Sequence, residues 1–251
     1  MSAQQAIRGD ALAPGWRGHP ASRSGRLSLR ELIRAGSFDA RTAALCLAVL
    51  ERHGSLLVAG QAQGAGKTTT LSALVERLPP SIHREPLLGS QETFAFLERA
   101  VPRETLLLVN ELSPHLPIYL WGRRAIRALS LVGLGFALAA TLHADGALEA
   151  VELLTEDLGA PAADVARIDL VATVRVFSAR GRAPVRRLVA LDALGPDGAS
   201  GVRVTPLVTY DPRADTLQHH DLTQRAVADP AVVAAHATRL ARETSAGAMT
   251  R

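Results

Sequence analysis

One segment of this 251-residue chain limits its folding choices more than any other. The apolar run Ser55-Leu56-Leu57-Val58-Ala59 leads into Gly60-Gln61-Ala62-Gln63-Gly64-Ala65-Gly66-Lys67-Thr68-Thr69, and then into a stretch to Leu78 that ends at Pro79-Pro80. A short apolar run reads as a central parallel strand buried on both faces, and Thr68 to Leu78 reads as a helix. Between them, glycines let consecutive backbone N–H groups converge and the helix N-terminus adds positive potential, so the turn suits an anion. Of the 28 basic residues, 27 are arginine, and the one lysine is Lys67. A bias that turns nearly every lysine into arginine leaves one only where a compact ammonium does what a planar, forked guanidinium does not. We therefore expect residues Gly60 through Thr69 to bind phosphate, with Lys67 beside the β- and γ-phosphates and the Thr68 hydroxyl on Mg²⁺. The strict pattern G-x-x-x-x-G-K-[ST] misses by one place, because Gln61 occupies the first glycine position and Gly60 precedes it.

Composition removes several alternatives. With 47% hydrophobic and 21% charged residues, 20 Gly and 14 Pro, the chain has an ordinary globular make-up, which sets aside disordered and collagen-like readings. The single cysteine, Cys46, permits no internal disulfide and sits in an apolar run, so it reads as a buried small hydrophobe. The longest apolar run, Ala128 to Leu142, falls short of the roughly 20 residues that cross a bilayer. It reads instead as helix end, turn and strand. The polar start Met1-Ser2-Ala3-Gln4-Gln5 has no signal-peptide character, and a cytoplasmic chain is expected. A net charge of +4 and a pI near 10.1 raise nucleic acid as a partner. The basic residues are spread along the chain, however, so a solvated surface and no nucleic-acid partner are expected.

Along the chain, residues 1–25 mix Gly, Pro, Ser, Ala and Arg without apolar period and read as a disordered arm. Ser28-Leu29-Arg30-Glu31 is a capping box that opens a helix closed by Gly36, and a second helix runs from Ser37 or Asp39 to Gly54. Further helices are expected at Gln91–Ala100, Leu120–Val132, Ala147–Leu158, Ala162–Ile168 and Pro230–Arg242. Strands are expected at Thr105–Val109 and Phe136–Leu142, and Leu170–Phe177, Arg186–Leu191 and Val202–Tyr210 form an antiparallel meander. The implied organisation is an arm at 1–25, an α/β domain at 26–210 and a polar tail at 211–251 with one helix.

Two more segments carry chemistry. Leu106-Leu107-Leu108-Val109 ends in Asn110-Glu111, which puts a carboxylate at a strand tip where it can hold Mg²⁺ or polarise an attacking water. Thr141-Leu142-His143-Ala144-Asp145 follows a buried strand, so His143 belongs at the same edge. The remaining histidines, including the exposed-looking His219-His220 pair, lack partner spacing, and no zinc-type set occurs.

In this order, Gly64-Ala65-Gly66-Lys67-Thr68-Thr69, Val109-Asn110-Glu111 and Ala140-Thr141-Leu142-His143-Ala144-Asp145 with Leu148-Glu149-Ala150 resemble the type II/type IV secretion and type IV pilus ATPases, the tight-adherence pilus branch most closely. Ile168-Asp169-Leu170-Val171 and Arg186-Arg187-Leu188-Val189 resemble the family's closing strands. The resemblance runs from about Ser28 to Tyr210. It implies a RecA-like P-loop NTPase, α/β with a mostly parallel sheet and a C-terminal antiparallel strand extension. It also implies ATP and Mg²⁺ as ligands, and hydrolysis that powers pilus assembly or protein secretion. The chain would act as a homo-oligomeric ring, a hexamer, on the inner face of the cell membrane against an inner-membrane platform protein.

Carried over by position, Lys67 and Thr68 bind the β/γ-phosphates and Mg²⁺, Glu111 is the Walker B carboxylate, and His143 senses the γ-phosphate. The family's Asp box supplies a water-polarising glutamate. Its nearest match here is Arg84-Glu85-Pro86, which nominates Glu85, with Glu92 next. Asn110 stands where the family has glycine. Arg123, Arg124 and Arg127 are candidates for the arginines that the family takes from an N-terminal domain, although a solvated helix face is the plainer reading. Two other functions fit the same residues: a nucleotide-binding structural or regulatory subunit with little hydrolysis, and a DNA-acting helper ATPase.

Overall fold

The computed structural model describes residues 27–178, 183–198, 201–220 and 227–246, so the arm expected at 1–25 lies outside the described residues. The chain opens with α1 (Leu29–Arg34), whose Ser28–Glu31 capping box forms in both directions. Next comes α2 (Ala40–Glu51), capped by the Asp39 carboxylate on the Thr42 amide. The elements β1 (Leu56–Ala59), α3 (Lys67–Val75), β2 (His83–Pro86), β3 (Thr105–Leu112), α4 (Arg123–Val132), β4 (Ala137–Leu142), α5 (Ala147–Glu152), α6 (Ala162–Val165) and β5 (Leu170–Phe177) follow. Antiparallel strands β6 (Val185–Asp197), β7 (Gly201–Asp211) and β8 (Thr216–His219) and the helix α7 (Pro230–Ala246) complete the order.

Among the described residues all eight strands form one sheet in the order β2-β3-β4-β1-β5-β6-β7-β8. The first five in that order pair in parallel, and β6, β7 and β8 add antiparallel neighbours. This is the expected α/β architecture, a mostly parallel sheet with an antiparallel extension. Side chains alternate across it: Leu56, Val58, Leu106 and Leu108 pack with α1, α2, α3 and α7 on one face. Leu57, Leu107, Leu138 and Val171 pack with α4, α5 and α6 on the other. With both faces covered, β1 and β4 carry uninterrupted burial. Cys46 is buried as expected, and desolvation pushes its thiol up to about 12, which leaves it unreactive. Among the described residues no helix is long and apolar enough to cross a membrane.

Several local expectations are corrected. The helix expected at Gln91–Ala100 is two single 3₁₀ turns, Gly89–Gln91 and Ala95–Glu98. Phe94 between them holds φ 61°, outside helical space, while the Glu92 carboxylate accepts from the Leu88 and Phe94 amides and folds the loop around itself. β3 runs three residues past its expected end at Val109. β2 and β8 were not expected as strands, and both are four-residue stretches rich in polar groups at the sheet's two edges. His219 is not exposed: its imidazole lies against Asp39 at 2.7 Å with only 10% of the side chain accessible.

Asp192 is buried on β6 where the β6–β7 register slips, opposite Pro206. Burial pushes its carboxyl up to about 6, with His220's charge opposing. Its folded-state pKa therefore exceeds its unfolded one, so the group favours the native state below the unfolded value and loses that contribution as pH rises through about 6. Asp192→Asn is expected to gain about 2–3 kcal/mol over the parent at pH 8, the gap closing towards pH 4, as read by denaturant melts across that range.

Candidate functional site

Lys67, Glu111 and His143 converge at the carboxyl ends of β1, β3 and β4, which are the positions where open α/β sheets take their ligands. The local causes differ for each. Lys67 opens α3, whose N-cap Gly66 has φ 101° and supplies no side-chain cap, so the amides of the first turn are left to other acceptors. Gly64 also holds a positive φ of 76°, and a Cβ there would meet nothing within 4 Å, so the loop is open on that side. Gly60 serves a different purpose: a Cβ on it would sit 2.6 Å from the Val174 carbonyl oxygen, so the glycine permits close packing of the loop's start on β5.

Glu111 reaches the site through an irregularity. Val109 pairs with Ala140 but Leu112 pairs with Leu142, so three residues of β3 span two of β4. The extra residue is a bulge, which breaks the alternation and brings both Asn110 and Glu111 to the wall of one cavity with Lys67. Both are buried, at 8% and 7% exposure, within the strand and not at a free tip. The Thr141 hydroxyl donates to the Asn110 carbonyl and ties the bulge to β4.

Lys67 is itself only 8% exposed. Its Nζ donates to the Gly60 carbonyl at 2.8 Å and lies 4.0 Å from Glu111 Oε2. Desolvation pushes its ammonium pKa down, opposed by the Glu111 charge. His143 stands between them: Nδ1 lies 3.3 Å from Lys67 Nζ and 3.0 Å from the Gln61 carbonyl, and Nε2 lies 3.2 Å from Glu111 Oε1. That last contact is an ion-pair distance without hydrogen-bond alignment, so Glu111 Oε1 and the nearby Asn110 Oδ1 are both buried without a hydrogen-bond partner. Unsatisfied oxygens at the polar end of a cavity are places for a donor such as water. The cavity measures about 960 Å³ and runs from this cluster past Thr68, Thr69 and Tyr119 to an apolar wall that includes Leu32, Phe38 and Leu188.

The other nominated residues lie elsewhere. Glu85 pairs opposite Leu107 on edge strand β2, four residues before Glu111 on β3, and its carboxylate meets His83 at 3.0 Å and Arg99 at 3.7 Å. Glu92 is consumed by its own loop's amides. Neither lines the cavity, where Glu111 is the one carboxylate among the described residues. Arg124 donates to the Glu92 carbonyl and Arg127 covers the Phe94 ring at 4.6 Å, so these arginines brace the loop at residues 92–94 and stay out of the cavity.

No family model and no curated protein matches the sequence. Among solved structures the chain is similar to the Legionella pneumophila ATPase DotB, at 16% identity and TM-score 0.42, covering 82% of this chain and 58% of that one. It is similar to the Yersinia pseudotuberculosis ATPase DotB at 14% and 0.45, covering 84% and 55%. It is also similar to the VirB11 ATPase of the Brucella suis type IV secretion system, determined with sulphate, at 20% and 0.40, covering 84% and 61%. The chain thus spans less than two thirds of each. At such identities and scores the chemistry rests on the residues around Lys67.

Four cavity neighbours escaped the sequence reading. Gln61 donates to Glu149 at 2.9 Å, and Glu149 in turn accepts from the Asp145 amide, which clamps the loop's start to the segment after His143. His115 packs edge-on to His143, with ring centroids 6.4 Å apart. The Tyr119 hydroxyl has its pKa raised by burial and by the Glu111 charge. Arg186 of β6 donates to the Gly64 carbonyl at 2.8 Å. Glu149 and Arg186 stand in the motif segments Leu148-Glu149-Ala150 and Arg186-Arg187-Leu188-Val189, which by themselves place neither at the site; the others depend on which strands and loops meet.

Proposed function

We propose that this chain binds a nucleoside triphosphate, ATP by resemblance, with its Mg²⁺ at the Gly60–Thr69 loop, and hydrolyses it in the service of a type II/type IV secretion or type IV pilus machine. The reading rests above all on the buried Lys67 ammonium, held at the foot of an open glycine loop and an uncapped helix within reach of Glu111 and His143. Mg²⁺ usually takes one or two protein oxygens and completes its shell with phosphate and water. Thr68 and Glu111 offer those oxygens, while among the described residues no group of three His, Cys, Asp or Glu is placed to hold a metal alone. A Mg²⁺ ion there would be held jointly by these oxygens and the nucleotide phosphates. Catalysis would come from positioning and charge neutralisation, with Glu111 holding the water and His143 reading the outer phosphate between Lys67 and Glu111.

A second reading, a nucleotide-binding regulatory subunit with little turnover, is favoured by one observation: Glu85 and Glu92 are both engaged away from the cavity. Residues 26–210 as the ATPase unit, a ring of identical copies and an inner-membrane platform protein as partner belong to the proposal and rest on motif order. The test is Mg²⁺-dependent ATP binding and hydrolysis by the full chain over a concentration series. A rate that rises faster than linearly with protein supports a ring motor. Tight binding with a flat trace supports the regulatory subunit, and neither binding nor turnover overturns the nucleotide reading.

A further inference from the structure

Among the described residues three lysine or arginine side chains line the cavity: Lys67, Arg186 and Arg187. Two are committed. Lys67 is bound to Gly60 and faces Glu111. Arg187 donates to both oxygens of Asp215, at 2.8 and 3.0 Å, and to the Ala35 carbonyl at 3.2 Å. The Asp215 carboxylate, bonded by Arg187 and Tyr210, is held far below the ordinary range, so this pair stays charged and fixes the start of β6.

Arg186 differs from its neighbour. It is exposed, and among the described residues no carboxylate pairs with it. Only its Nε is used, donating to the Gly64 carbonyl. Its Cδ lies 3.3 Å from where a Gly66 Cβ would stand, so the side chain lies along the two positive-φ glycines of the loop. Both Nη groups, with four N–H donors, are uncommitted among the described residues. A guanidinium without a counter-ion beside a turn that presents amides adds donors of the kind that phosphate oxygens accept.

We propose that Arg186 is a phosphate-contacting residue of this site, supplied by the same chain, whose Nη groups donate to a nucleotide phosphate beyond the α position. The inference rests on the nucleotide reading above. Because Arg187 anchors the adjacent position on β6, nucleotide binding would also tie the phosphate loop to the antiparallel half of the sheet.

The test compares Arg186→Gln and Arg186→Lys with the parent full-length chain, by titration with AMP, ADP and ATP at low and high salt. For Arg186→Gln, ADP and ATP affinities are expected to fall about tenfold while AMP is unchanged, which is the loss of one hydrogen bond to a charged group. The deficit should shrink as salt screens the charge, and Arg186→Lys should recover most of the affinity at low salt. The nucleotide-free melting temperature should stay at the parent value. A salt-independent loss equal for AMP and ATP, with a lowered melting temperature, would make Arg186 a mere tether of the Gly64 carbonyl and overturn the proposal. Unchanged ATP affinity in Arg186→Gln overturns it too, leaving the nucleotide reading intact. A parent protein that binds no nucleotide sinks both, and the Lys variant decides the matter should the Gln variant not fold.

Discussion

Lys67→Ala is expected to lower ATP affinity roughly 100-fold and to abolish measurable turnover. Two charge-assisted hydrogen bonds from one ammonium to phosphate oxygens, at about 1.5–3 kcal/mol each, amount to at least two factors of ten at about 1.4 kcal/mol apiece. Lys67→Met separates this from a packing defect, since it keeps the aliphatic stem against the loop. Removing a desolvated ammonium relieves one cost while Glu111 loses the cation 4.0 Å away, so the two effects oppose and the melting temperature should change little. The sharper variant is Lys67→Arg. Its charge is kept, but the site is 8% exposed and the ammonium sits 2.8 Å from the Gly60 carbonyl. A planar guanidinium does not fit such a space, and Lys67→Arg should bind ATP nearly as poorly as Lys67→Ala in isothermal titration. Parent-like affinity in Lys67→Arg would remove the physical reason for a single lysine among 28 basic residues.

How much of this was readable beforehand depends on how local each feature is. The turn around Lys67 was readable because strand, glycines and helix are consecutive, and the capping box at Ser28 closes within four residues. The meeting of Lys67, Glu111 and His143 follows from three parallel strands ending on one edge, which the alternation of strands and helices already implied. The bulge that turns Glu111 inward was hidden, since a register shift exists only relative to β4. Glu85 misled for the same reason: Arg84-Glu85-Pro86 looks suitable as a string, but its pairing opposite Leu107 sets it back along the sheet from Glu111. Gln91–Ala100 has helical periodicity, and one buried carboxylate, Glu92, outweighs it by capping amides that a helix would have used internally. Arg186 was the hardest to read. Its place depends on an antiparallel return that lays β6 beside β5 and delivers the side chain to a loop 122 residues earlier.

Glu111→Gln divides binding from chemistry. The change is isosteric, so the bulge and the Asn110–Thr141 bond should survive, and only the charge is lost. If Glu111 holds and deprotonates the attacking water, turnover should fall roughly 10²- to 10⁴-fold, the usual worth of a positioned general base. Affinity for ATP measured without Mg²⁺ should hold or improve, because a carboxylate close to phosphates repels them when no cation lies between. One signal reports that the charge itself has gone: the Tyr119 hydroxyl, now raised partly by Glu111, should titrate closer to 10 in the variant, as followed by its ultraviolet absorbance. A Glu111→Gln protein with the shifted tyrosine and parent-like turnover would place water activation on some other group. Among the described residues the cavity holds no second carboxylate, and a neighbouring copy of the chain in a ring would be the first source to test. Loss of turnover with retained binding would instead show that hydrolysis depends on this one carboxylate, brought in by a bulge.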